Sequence, residues 1–112
     1  EPGFAGFCRV IWQAHVGEMT DLTASEREHL MRVVFAVEQV LRDTLQPDKI
    51  NLASLGNVTP HLHWHVIPRY RSDSNFPDPV WNPPRRVNEV APAVDFERLK
   101  LALRRLLDIV PT

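Results

Sequence analysis

Two helices packed on one face of a small antiparallel sheet, an α+β fold, are predicted by three features of the sequence. Segments rich in β-forming residues are separated by single helical patterns. The second and third of these segments are joined by a link of hairpin length, which favours antiparallel pairing. Each helical pattern carries one apolar stripe, so each helix has one face to bury. The 112 residues are read as a single domain. A chain of that length buries roughly 65% of its extended surface, enough for a core without staples.

Phe7-Cys8-Arg9-Val10-Ile11-Trp12 follows the turn-like Glu1-Pro2-Gly3 and predicts the first strand. Residues 13–21, which include His15, form a connection. Thr23 and Glu26 fit a capping box, and Leu30, Val33, Val34, Val37, Val40, Leu41 and Leu45 recur at spacings of three and four. They predict a helix that Pro47 ends, with Gln39, Arg42 and Asp43 on its far side. Lys49 to Leu55 predicts a second strand, closed by the turn pair Gly56-Asn57. His61 to Ile67 alternates strictly and predicts a third, with Pro68 marking a strand terminus or an edge position. Residues 71–94 are proline-rich and without a period, so they predict an irregular loop that either has a function or packs through its own aromatics, Phe76 and Trp81. Asp95 can cap a last helix whose apolar positions are Phe96, Leu99, Leu103, Leu106, Leu107 and Val110.

The composition excludes several classes of function. Thirteen Lys and Arg against fourteen Asp and Glu leave a net charge of −1. That charge gives no general attraction for a polyanion, so polymeric nucleic acid is not an expected partner. Arg85-Arg86 is too short a basic run to change this. A lone cysteine, Cys8, cannot form an internal disulfide, which fits a reducing compartment, and it reads as a small buried residue rather than a reactive thiol. No apolar run approaches the roughly 20 residues that span a bilayer, and no basic-then-apolar leader opens the chain. The expectation is a cytoplasmic protein without a membrane partner.

Three of the five histidines fall within His61–His65. In a strand His61, His63 and His65 point one way and Leu62, Trp64 and Val66 the other, toward the helices. The helix-free face is then open to carry chemistry. The rise of ~3.3 Å per residue puts neighbouring histidines ~6.7 Å apart and the outer two ~13 Å apart. Two of them could share a zinc ion at the usual Zn–N distance of about 2.0–2.1 Å, but the third could not join while the strand stays straight. His15 or a carboxylate would have to complete such a site, so a divalent metal is conceivable but not predicted. A row of solvent-facing histidines without a task is a second alternative. The third is phosphoryl or nucleotidyl transfer. Imidazole, with an ordinary pKa of ~6.5, is a good nucleophile near neutral pH. Its neighbours can hold phosphate oxygens, and covalent capture divides one hard displacement into two easier ones.

His61-Leu62-His63-Trp64-His65-Val66-Ile67 resembles the motif of the histidine-triad (HIT) superfamily of nucleotide hydrolases and transferases, three histidines alternating with apolar residues. Asn51, the Gly56-Asn57 pair, Val66-Ile67-Pro68-Arg69 and His15 are similar to the family's pattern in the same order, and Phe76-Pro77-Asp78-Pro79-Val80-Trp81 resembles a bacterial branch. The likeness implies a sheet of about five strands in the full domain, one of them upstream of Glu1 and contributing to the base and ribose pocket. It implies that His63 attacks an α-phosphate to form a nucleotidyl-histidine intermediate. His61 and His65 would assist phosphate binding and leaving-group protonation, with His65 the acid. Asn51, Asn57 and Thr59 would bind substrate or order the loop, and His15 would bind phosphate or steady the nucleophile. The family pattern places Ser or Thr directly after its Gly-Gln pair, whereas here Val58 precedes Thr59. His65, where a uridylyltransferase branch carries Gln, favours hydrolysis. The implied substrate is a purine nucleotide in a phosphoramidate, a dinucleoside polyphosphate or a similar conjugate. No cofactor is required, and the implied assembly is a homodimer. A nucleotide-binding or interaction module with little turnover is the rival. Outside the triad, Arg69 and Arg71 read as solvated charges, Trp81 as a loop anchor or dimer contact, and His29 has no role.

Overall fold

The structure, a computed structural model, describes residues 4–87 and 94–109, leaving aside the side chains of 107–109. Glu1-Pro2-Gly3, the end of the proline-rich loop at 88–93, and Val110 of the expected last helix face lie outside the described residues, as does the Leu107 side chain.

Three strands and two long helices follow in the order β1 (Cys8–Ile11), α1 (Ala24–Leu45), β2 (Lys49–Ala53), β3 (His63–Arg69) and α2 (Phe96–Ile109). A short 3-10 turn, Met19–Asp21, precedes α1. The strands form one antiparallel sheet in the order β1-β3-β2. The fold is therefore α+β as expected. Three strands stand among the described residues, against about five implied for the full domain.

α1 forms as its sequence dictates. The Thr23 hydroxyl accepts from the Glu26 amide at 3.1 Å, and the Glu26 carboxylate accepts from the Thr23 amide at 2.8 Å, so the capping box is complete. At the far end Gln46 turns left-handed (φ 49°), and Pro47 prevents continuation. Leu30, Val34, Val37 and Leu41 are buried. Each such side chain contributes roughly 1.5–3 kcal/mol relative to an exposed one. They meet Ile50 of β2 and Leu62 and Val66 of the third strand segment in one core, with Cys8, Val10 and Trp12 packed against it from β1. Cys8 is half-buried, its thiol donates to the Gly6 carbonyl at 3.3 Å, and burial pushes its pKa up. α2, begun by Asp95 accepting from the Arg98 amide at 3.1 Å, docks on α1 and adds buried Leu99 to the same core.

Gly6 sets the entry to β1. Its φ is +81°, and a Cβ there would lie 2.5 Å from Leu45 Cδ1 and 3.1 Å from Pro68 Cγ. The left-handed backbone there favours glycine, and a side chain would also have to displace Leu45 as the chain passes between the end of α1 and the end of β3.

The third strand departs from its expected bounds. It starts at His63 rather than His61 and continues through Pro68 to Arg69. His61 and Leu62 leave the ladder because the Leu62 amide donates to Val16 O (2.8 Å) and the Leu62 carbonyl accepts from Trp12 N (3.1 Å). Pro68 is tolerated next to the strand end because β1 reaches only as far as Val66, leaving β2 as its single neighbour. The first two strands are shorter than expected by a residue or two at their ends.

The face away from the helices is open only in part. Ile67 and Arg69 are buried at 1% and 2% exposure, and the irregular segment 70–87 closes on Arg69. Arg69, expected to be a solvated charge, is instead the anchor of that segment. Its guanidinium donates to both carboxylate oxygens of Asp73 (2.9 and 3.0 Å), to Asn51 Oδ1 (2.8 Å) and to the Asp78 carbonyl (2.8 Å). It also lies 5.7 Å from the Phe76 ring centre and 6.0 Å from that of Phe4. A buried arginine needs such a set of partners, since it cannot shed its charge. Arg71 is exposed as expected.

Candidate active site

Strand alternation places His63 and His65 on the helix-free face of β3, and pairing brings β1 alongside, with Ile11 opposite His63 and Arg9 opposite His65. The β2–β3 link closes the third side. Gly56 turns it with φ +75°, and a Cβ there would meet only Thr59 O at 3.5 Å, so backbone conformation rather than space calls for glycine. A cleft of about 910 Å³ results. It is lined by His61, His63, His65, Asn57 and Thr59, together with Arg9, Ile11, Leu55 and Trp81.

The hydrogen bonds fix where the protons sit. A backbone carbonyl can only accept, so a ring nitrogen bonded to one must carry hydrogen. His63 Nδ1 lies 2.6 Å from the His61 carbonyl and is therefore the donor. In the neutral ring Nε2 is then left with the lone pair, on a side chain that lines the cleft. His61 Nε2 donates to the Trp12 carbonyl, so the neutral His61 ring accepts at Nδ1. His15 Nδ1 lies 3.2 Å from that atom and supplies the hydrogen. The result is a proton-ordered chain, His15 to His61 to the Trp12 carbonyl, with the His61 carbonyl orienting His63. Ser54 adds a further brace, its hydroxyl donating to the His63 carbonyl at 2.7 Å.

His65 is enclosed differently. It is 7% exposed and meets three rings edge-on or nearly so: His63 at 4.9 Å, Phe7 at 5.4 Å and Trp81 at 5.4 Å between centres.

The expected site residues separate into two groups. The triad, Asn57 and Thr59 share the cleft, and His15 joins through His61. Asn51 stands two pairs farther along the sheet, opposite Ile67, where its side chain is engaged by Arg69. Arg9 and Ile11 were missed as lining residues. Their signal was present, since Cys8, Val10 and Trp12 alternate with them and face the core. Trp81 lines the cleft, where its ring meets His65. Among the described residues no three His, Cys, Asp or Glu side chains are grouped so that they could hold a metal ion. No helix of the described residues is long and apolar enough to cross a membrane.

Comparison with known proteins agrees with this geometry. The HIT domain family model matches residues 1–72. A bis(5′-nucleosyl)-tetraphosphatase (asymmetrical) of Schizosaccharomyces pombe is 32% identical over 87 residues, covering 73% of this chain and 48% of its own length. An AP-4-A phosphorylase of Mycobacterium tuberculosis is 31% identical over 77 residues, covering 63% of this chain and 40% of its own. The chain thus spans less than half the length of these relatives. A histidine triad protein from Marinobacter aquaeolei superposes with a TM-score of 0.72 at 28% identity, over 94% of this chain and 76% of that one. A triad whose middle ring is oriented by the first, set on the open face of a three-stranded sheet and matched by the family model over most of the chain, makes this protein a member of the HIT-domain family.

Proposed function

We propose that the protein transfers a nucleotidyl group to water through His63, acting on the α-phosphate of a purine nucleotide conjugate. The observation that carries this reading is the bond from His63 Nδ1 to the His61 carbonyl, which leaves Nε2 as the lone-pair nitrogen in the cleft. The names of the tetraphosphatase and phosphorylase relatives support a nucleotide substrate.

In the first step the Nε2 lone pair forms a bond to phosphorus. The bond from phosphorus to the bridging oxygen or nitrogen breaks, and its electron pair leaves with the departing group, which takes a proton from His65. In the second step water attacks phosphorus and gives a proton to His65. The N–P bond then breaks, the pair returns to Nε2 and a nucleoside monophosphate leaves. Asn57 and Thr59 hold substrate at the mouth, and the His15–His61 pair steadies the nucleophile. The position of Asn51 supports a role in ordering the 70–87 segment. The homodimer implied by family likeness belongs to the same proposal and is checked by sedimentation at twice the monomer mass.

Intact-mass spectrometry after a rapid acid-free quench with adenosine 5′-phosphoramidate tests the reaction. The wild type is expected to gain one adenylyl group and His63→Ala none. Turnover by His63→Ala at near the wild-type rate would overturn the covalent route. Nucleotide binding with neither adduct nor product from any such substrate would favour a binding module.

A further inference from the structure

Segment 70–87 contains two nearly buried polar side chains that take no part in the chemistry above, Asp73 and Asn75, at 5% and 3% exposure. Their hydrogen bonds form a clasp. Asp73, held by Arg69, accepts from the amides of Tyr70, Asn75 and Phe76 at 3.2, 3.0 and 2.7 Å. The Asn75 side-chain amide donates to the carbonyls of Pro79, Val80 and Asn82 at 3.2, 3.1 and 2.7 Å. Arg86 Nη1 closes the segment with bonds of 2.8 Å to the Asp73 and Phe76 carbonyls. Val80 and Asn82 flank Trp81. The indole is 51% exposed, so the core does not hold it, yet its ring meets His65 at 5.4 Å.

Burying polar groups is costly unless each is bonded, and a satisfied buried network fixes one geometry. What this network fixes is the backbone on both sides of Trp81. Phe7, just before β1, meets the same imidazole at 5.4 Å. His65 is thereby in edge contact with a ring at the entry to β1 and with a ring presented by the clasp.

We infer that Trp81 is a positioning residue for His65, with Asn75 setting it in place, and that it acts on leaving-group protonation. The inference rests on the proposed role of His65 as proton donor. A proton donor must lie within hydrogen-bond reach of the departing atom, and a misplacement of about 1 Å can cost roughly 100-fold in rate. The effect of Trp81 is therefore tied to how much the leaving group needs a proton.

The test uses two substrates with the same nucleotide. Adenosine 5′-(N-alkyl phosphoramidate) releases a basic amine that must be protonated, whereas adenosine 5′-(4-nitrophenyl phosphate) releases a phenolate that leaves without help. Trp81→Ala and Asn75→Ala are expected to lower kcat roughly 10- to 100-fold on the amine substrate and less than about threefold on the nitrophenyl ester. Trp81→Phe, which keeps a ring edge beside His65, is expected to recover most of the loss. His65→Asn should show the same selectivity more strongly, at roughly 100- to 10,000-fold. Equal losses on both substrates, or a rise in KM with kcat unchanged, would make Trp81 a wall of the nucleotide pocket and overturn the inference. If His65→Asn is selective and Trp81→Ala is not, the positioning role alone fails. If neither is selective, the acid assignment and the inference fail together. Because the Trp81 side chain is half exposed, its variants report on this even if Asn75→Ala does not fold.

Discussion

His63 and His65 occupy one half of the helix-free face of β3, while Ile67 and Arg69 occupy the other. The two halves belong to one strand and one face, but β1 lies beside the first half and β2 alone beside the second. Over the first half the face opens into the cleft, with His63 part-exposed. Over the second half segment 70–87 closes on Arg69, which is fully enclosed. Alternation decides which residues share a face; what later packs on that face decides whether they do chemistry or hold structure. A histidine can remain at a solvated edge and change protonation state, whereas an arginine keeps its charge and is useful in the interior only where carboxylate and carbonyl groups surround it.

Single substitutions should separate the halves most widely when each takes out the principal residue of its own half. His63→Ala is expected to reduce turnover by roughly 10,000-fold or more while leaving the unfolding midpoint nearly unchanged, as judged by steady-state kinetics and urea titration on one preparation. Arg69→Ala should do the reverse. It leaves the Asp73 carboxylate buried without its partner, and a stability loss of about 3–5 kcal/mol is expected. A stable Arg69→Ala protein with unchanged urea midpoint would erase the contrast between the halves.

Asn51 sharpens the boundary, because family likeness implies a choice between substrate contact and loop ordering. Its side chain accepts a charge-assisted bond from Arg69, so Asn51→Ala is expected to lower stability by roughly 1.5–3 kcal/mol. KM for a nucleotide substrate should stay within about twofold, since the side chain is not at the cleft. A large KM change at constant stability would move Asn51 to the catalytic half.

The pH dependence of stability gives the smallest and most graded effect. Burial raises the Asp73 pKa, but the Arg69 side chain and the Asn75, Tyr70 and Phe76 amides together hold it below the ordinary carboxylate value. A depressed folded-state pKa contributes stability that is present above the unfolded value and is lost as pH falls through the folded one. Denaturant unfolding from neutral pH into the acid range should therefore show the gap between wild type and Asp73→Asn narrowing as pH drops. A gap independent of pH would mean that the Asp73 charge plays no part in the clasp.

The two halves were unequally legible in the sequence. α1 could be read almost residue by residue, because its capping box and its apolar spacing are local and both survive in the structure. The triad was legible as a pattern, yet its first member was placed in a straight strand. The hydrogen bonds that draw His61 and Leu62 out of the ladder come from Trp12 and Val16, about 50 positions earlier, and no local pattern reports them. The burial of Arg69 was hidden for a related reason. Its partner Asp73 lies in a segment without a period, where an acidic residue reads as one more solvated charge. Arg9 and Ile11 were within reach of simple alternation, since their neighbours Cys8, Val10 and Trp12 face the core.

The central claim is that the backbone prepares His63 for attack by holding a proton on Nδ1 and leaving Nε2 bare. Long-range proton–nitrogen correlation spectra of uniformly labelled protein, recorded where the ring is neutral and assigned with His63→Gln, read this directly. The expected spectrum for His63 has a protonated Nδ1 and an unprotonated Nε2 with the shift of a lone-pair nitrogen. The opposite tautomer, with hydrogen on Nε2, would leave the cleft without its nucleophile and contradict the account.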